Sequence, residues 1–254
     1  MRNYTAFLKK EIMESYRTYK ATIMLIIFLI FGIISPLTAK MIPDLLGTFM
    51  PEGVSITLAD PVALDSWAQF YKNIPQMGLI VTVILFSGIL SAELSKGTLI
   101  IMLTKGLSRV AVILAKFTCM ALIWTLSLAL SFVLTWSYTV FLFPGGETAH
   151  LLFSVFCLWL FGVFLLALLI FAATLVNSNY GCLLITGAGV IVCILINIIP
   201  EAHRYNPITL ATQNMNLLMG AMDVQSLLIA VAITAGLSLI FLISAVMIFR
   251  KKRL

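Results

Sequence analysis

The chain has 254 residues, of which 61% are hydrophobic and only 10% are charged, with a formal net charge of +6. Soluble domains carry about 25% charged residues, so this composition excludes a soluble fold and specifies an integral membrane protein. The length holds one domain, 1–254, with no room for a separate soluble module.

Within residues 1–20, Tyr4, Phe7, Leu8, Ile12, Tyr16 and Tyr19 recur every three to four positions, while Lys9, Lys10, Glu14 and Arg17 fall mostly elsewhere around the helix. This predicts an amphipathic helix lying in the headgroup region, with aromatics at the interface and basic residues near anionic lipid. A solvated tail that only sets orientation is the alternative. Residues 21–39 give the first membrane span, since about 20 apolar residues cross the hydrocarbon core. Leu37-Thr38-Ala39 loosely resembles a signal-peptide cleavage site, but the amphipathic stretch before the run and the length of the run argue for a retained span.

Residues 40–72 contain Pro43, Pro51 and Pro61 with Asp44, Glu52, Asp60 and Asp65, and read as an irregular loop with short helices. Residues 73–92 are uncharged and form span two, with Pro75 near its start. Residues 93–109 are an island of charge. Residues 117–146 are again uncharged; span three begins near Val110 and ends at Pro144-Gly145-Gly146. Between Glu147 and Glu201 lie 53 residues without Lys, Arg, Asp or Glu, divided by Asn177-Ser178-Asn179-Tyr180-Gly181 into spans four and five. Residues 200–223 are too short and polar to span and suggest short or re-entrant helices. Residues 224–249 hold span six. The runs are continuous rather than alternating, so the fold class is all-α, not a barrel.

Six spans put both termini on one side. That side holds 13 basic residues and three acids, Glu11, Glu14 and Glu93; the other holds Lys40, Lys72 and Arg204 against seven acids. The positive-inside rule makes the termini cytoplasmic. The basic excess is therefore an orientation device, and no nucleic-acid partner is expected.

No apolar run carries an ionisable residue at its centre, which disfavours ion-coupled transport. There is no phosphate loop and no His-Glu-x-x-His, and His150 and His203 fall near the outer face, so this chain is not expected to be an enzyme or to hold a metal or cofactor. Cys119, Cys157, Cys182 and Cys193 lie in apolar runs and read as packing residues. Among the neutral polar residues, Ser87, Thr135, Thr186 and Asn197 are candidates for a translocation path, although bonding within helices is their commoner use. Such a chain has no energy source of its own, so work would depend on a partner.

The island is where a partner would touch. Gly97 and Gly106 bracket Thr98–Lys105, whose apolar residues are too few to cross, and Thr98 suits a helix start. In Glu93-Leu94-Ser95-Lys96-Gly97-Thr98, then Gly106-Leu107-Ser108-Arg109, then Lys116, the segment resembles the first cytoplasmic loop of type-2 ABC transporter permeases, with Gly106 where a proline is common. The basic helix before span one, with Lys10-Glu11, and the six spans are similar to that family as well.

The resemblance implies a bacterial cytoplasmic-membrane permease that pairs with a second permease and a cytoplasmic ABC ATPase, which would carry the ATP and Mg. Glu93, Lys96, Gly97, Thr98, Leu99, Ile100, Met102, Leu103, Ser108 and Arg109 would form the coupling segment, with Glu93 and Arg109 positioning it. Phe7, Lys9, Lys10, Glu11 and Tyr16 of the interfacial helix would make a second contact. Export of an amphipathic or hydrophobic cargo (a peptide, an antimicrobial or a lipid) is the implied function. A membrane scaffold or sensor that regulates a partner is the alternative.

Overall fold

The computed structural model describes residues 2–49, 60–146 and 148–252. Among these residues every regular element is helical. In hydrocarbon a backbone N–H or C=O has no water to bond, so helices satisfy the uncharged runs internally. Among the described residues, six helices are long and apolar enough to cross a membrane: Lys20–Ile42, Ala63–Ser95, Arg109–Leu142, Leu151–Leu175, Asn179–Ile196 and Val224–Lys251.

A first helix, α1 (Arg2–Arg17), precedes them and turns sharply at Tyr19, φ 60°, into α2 (Lys20–Phe49). The second span is composite. It starts as α3 (Ala63–Asn73), widens into a π turn at Ile74–Gly78, and continues as α4 (Leu79–Phe86). The π turn contains Pro75, which has no N–H for the regular ladder. After a turn come two short helices, α5 (Ser91–Ser95) and α6 (Thr98–Thr104). Then α7 (Arg109–Leu142), α8 (Leu151–Leu175) and α9 (Asn179–Ile196) follow. A 3₁₀ turn, Pro200–Tyr205, leads to α10 (Thr209–Thr212), α11 (Asn214–Leu218) and the last span, α12 (Val224–Lys251).

The second span corrects the expectation for residues 40–72. The helix of α2 runs on to Phe49, and α3 begins at Ala63, ten residues before the uncharged run; residues 50–59 lie outside the described residues. Pro61 and Asp65 read as loop residues, but Ala63, Ser66, Trp67, Phe70, Tyr71 and Ile74 form a buried stripe at helical spacing. Asp65 accepts from the Val62 N–H at 2.8 Å and caps the start.

The bundle is built around α8. Of its apolar window 72% is buried, against 11% for α9, which stands at the periphery. α2 packs along α7 and α12 along α8. Small residues allow the closest crossings. A Cβ on Gly162 would lie 2.2 Å from the Trp124 ring, so glycine is what lets α8 meet α7 there. Beside Gly32, the Thr135 hydroxyl of α7 donates to the Gly32 carbonyl of α2 at 3.1 Å.

The helix α1 and the end of α12 lie at one end of the bundle. Tyr4 of α1 donates to Thr118 near the start of α7, and Arg109 of α7 donates to carbonyls at the end of α12. At the opposite end, the 3₁₀ turn, α10 and α11 form the short helices expected for residues 200–223. They are fixed by Asn206, whose side-chain amide donates to the Cys193 carbonyl at 2.6 Å, and by Asn214, which donates to the carbonyls of Leu210 and Ala211.

Candidate functional site

The site grows from α6. Gly97, φ 70°, ends α5 in the left-handed region and starts α6; Gly106, φ 91°, follows α6 in the same region. Neither position has an atom within 4 Å of where a Cβ would be. Backbone conformation rather than crowding therefore calls for glycine at both. The Thr98 hydroxyl donates back to the Glu93 carbonyl at 3.3 Å. Leu99 is buried, with Met102 and Leu103 half-buried beside it. Ile100 and Ile101 are exposed, Ile101 by 56%. Lys96, Thr104, Lys105 and Ser108 also point outward. Thus α6 is a short surface helix with an anchored face and an apolar free face.

Its base is held by charge. The Glu93 side chain does not cap α6; it turns into the bundle. Glu11, Glu93 and Lys116 are 4%, 5% and 1% exposed. Lys116 Nζ donates to Glu11 Oε1 and Oε2 at 3.1 and 3.0 Å. It also ion-pairs with Glu93 Oε2 at 2.7 Å. Lys10 completes the group, pairing with Glu93, with Glu11 at 3.0 Å and with Glu14 at 2.5 Å. Both ammonium groups lie over the Phe7 ring, at 5.2 and 5.7 Å from its centre. Desolvation pulls the Lys10 ammonium down, but its bonds to Glu14 and Glu93 outweigh that and set its pKa above the ordinary 10.5. The carboxylates of Glu11, Glu14 and Glu93 also lie close enough together for a metal ion. The two lysines already engage all three and offset two of the three charges, so the cluster fits an ion-pair network better.

This arrangement revises the reading of α1. Phe7, Glu11 and Ser15, spaced by four, face the bundle and are buried, while Ile12, Tyr16 and Tyr19 of the supposed stripe are exposed. A carboxylate at the centre of the docked face was not anticipated, because its partner Lys116 is 105 residues away. Ionisable groups are thus buried at one end of the spans.

Arg109 holds a different element from the one expected. Its Nη1 donates to the carbonyls of Phe249, Arg250 and Lys252 at 3.1, 3.0 and 2.5 Å. It satisfies the unpaired end of α12, where the helix dipole also favours a cation. Lys252 in turn donates to the Thr174 carbonyl of α8 at 2.9 Å, and desolvation lowers its pKa from 10.5. The loop around α6 is therefore tied to α1 and α7 through Glu93 and to α12 through Arg109.

The four path candidates do not converge. Ser87 bonds the Ile84 carbonyl, Thr135 the Gly32 carbonyl and Thr186 the Cys182 carbonyl. Asn197 belongs to a separate cluster with His203, at 2.9 Å. Thr186 alone of these lines a large cavity, an open apolar groove of about 460 Å³ between α4, α8 and α9. All four cysteines are buried and free, as packing residues would be.

No family model matches the chain. It is similar to the uncharacterized transmembrane protein YxlG of Bacillus subtilis (strain 168), with 20% identity over 225 residues covering 86% of each chain. With six apolar helices and a transmembrane relative in view, the class is settled. The chain is a multi-pass membrane protein.

Proposed function

We propose that the chain is the transmembrane subunit of an ABC exporter of the type-2 permease kind, driven by a separate ATPase. The observation that carries this reading is α6: a short helix with an exposed Ile100–Ile101 face, whose base is locked by ion pairs to α1 and α7. A helix that is free on one side and rigidly rooted on the other can pass a push from a soluble partner to the spans. Arg109 extends the link to α12. Binding of ATP by the partner would bias the permease between two arrangements, provided the partner contacts α6 differently in each. On this reading the termini and α6 face the cytoplasm of a bacterium and the permease acts as a pair. An apolar groove beside α9 suits an amphipathic or hydrophobic cargo, such as a peptide, an antimicrobial or a lipid.

The test is Ile101→Asp in the full chain, co-expressed with a candidate ABC ATPase. Ile101 is exposed, so folding should change by no more than about 0.5 kcal/mol. Loss of ATPase co-purification with the fold intact supports the reading. Undiminished assembly, hydrolysis and transport would count against it. Intact assembly and hydrolysis with no transport of any cargo would favour the scaffold or sensor.

A further inference from the structure

α1 has a second face that the bundle leaves uncovered. Tyr4, Glu11 and Ser15 are spread over roughly 16 Å of α1 at 1.5 Å per residue, yet they bond to Thr118, Lys116 and Cys119, which lie within one turn of α7. The two helices therefore cross, and α1 lies transverse to the span. Lys116 is the last charge before the uncharged stretch 117–146, so the crossing is level with the edge of the hydrocarbon.

On the outward side, Lys9, Ile12, Met13, Tyr16 and Arg17 are exposed. With 3.6 residues per turn, Ile12 and Tyr16 form one edge and Arg17 the other, with Lys9 between them. The apolar edge continues past the bend through Tyr19 into Ile23 and Ile26, on the exposed side of α2. That side of α2 is a membrane-spanning face, so the edge joins the lipid-facing surface.

Charge decides the occupant. The three acids at this end, Glu11, Glu14 and Glu93, are all engaged by Lys10 and Lys116. Among the described residues, Lys9 and Arg17 have no acidic partner. The three carboxylates exceed the Lys10 and Lys116 ammoniums by one, but Glu14 is held by Lys10, so the charges on the outward face of α1 itself are the cations Lys9 and Arg17.

We infer that the outward face of α1 binds anionic phospholipid, with Lys9 and Arg17 on the headgroup and Ile12, Tyr16 and Tyr19 against the upper acyl chains. This is independent of the exporter reading, since it needs only a membrane. One basic residue near an anionic surface is worth about fivefold in affinity, so the pair should supply roughly thirtyfold.

The experiment places a photoreactive benzophenone side chain at Tyr16 of the full chain. The protein is reconstituted in vesicles of seven parts phosphatidylcholine to three parts phosphatidylglycerol. The ratio of phosphatidylglycerol to phosphatidylcholine in the crosslinks should exceed the bulk ratio of 3:7 by about thirtyfold. The preference should fall to the bulk ratio in K9Q/R17Q and persist in K96Q/K105Q, which removes equal charge elsewhere. A bulk ratio in the unsubstituted background would overturn the inference, as would an equal loss in both double variants. Crosslinking of Tyr16 to a protein instead of lipid in native membranes would make the face a protein-docking surface and also overturn it.

Discussion

Replacing Lys116 by methionine removes the ammonium that Glu11 and Glu93 share and keeps most of the side-chain volume. Three contacts of 2.7–3.1 Å disappear at a group only 1% exposed. Stranding a buried charge costs about 3–5 kcal/mol. A stranded carboxylate can instead take up a proton, which from an ordinary value near 4.3 costs about 3.7 kcal/mol at pH 7. That sets a ceiling, so the loss should lie between about 3 and 3.7 kcal/mol, or two to three powers of ten in the docking equilibrium of α1. The sign with pH follows. In the variant, the docked state binds protons more readily than the undocked one, so docking recovers as pH falls toward 5, by up to about 1.4 kcal/mol per unit. Hydrogen exchange of α1 in purified protein measures this directly. Protection within threefold of the parent at pH 7, or a loss that does not shrink at pH 5, would refute the buried ion-pair argument.

Other substitutions probe separate parts. Arg109→Ala should fray the end of α12, at a cost of about 1.5–3 kcal/mol for charged hydrogen bonds to carbonyls; spin-label mobility at Lys251 reports it, and Arg109→Lys should rescue only in part. Gly162→Ala should destabilise by about 1–3 kcal/mol through overpacking against Trp124, read from thermal unfolding. In the unsubstituted chain, Lys10 contributes stability below 10.5 that is lost only as pH passes its raised value. Exchange protection of α1 should therefore stay level between pH 7 and pH 10.

Local chemistry was legible in the sequence, and distant pairing was not. Uncharged length is enough to find the spans, and Gly97 and Gly106 mark α6 because left-handed backbone is a local demand. The early start of α3 is written in the spacing of Trp67, Phe70, Tyr71 and Ile74, but Asp65 reads as a loop marker and Lys72 as the end of the loop. They lie on the half-buried or exposed side of an amphipathic helix end. Glu93 and Arg109 stand out in the sequence, yet Glu93 pairs with Lys10 and Lys116 on two other helices, and Arg109 bonds carbonyls 140 to 143 positions away. No periodicity reports a bond of that separation. Glu11 offered one signal: a carboxylate four residues from both Phe7 and Ser15, in the middle of a docked face.

The most direct measurement is site-specific crosslinking from Ile101 of α6 in a complex with a candidate ABC ATPase, combined with the rate of ATP hydrolysis. If α6 couples the spans to the ATPase, a photoreactive group at Ile101 will capture that subunit, and, in a separate variant, Ile101→Asp will abolish the permease-dependent hydrolysis. A face at Ile101 that captures no ATPase, in a chain that still assembles with it and exports cargo normally, would contradict the proposal.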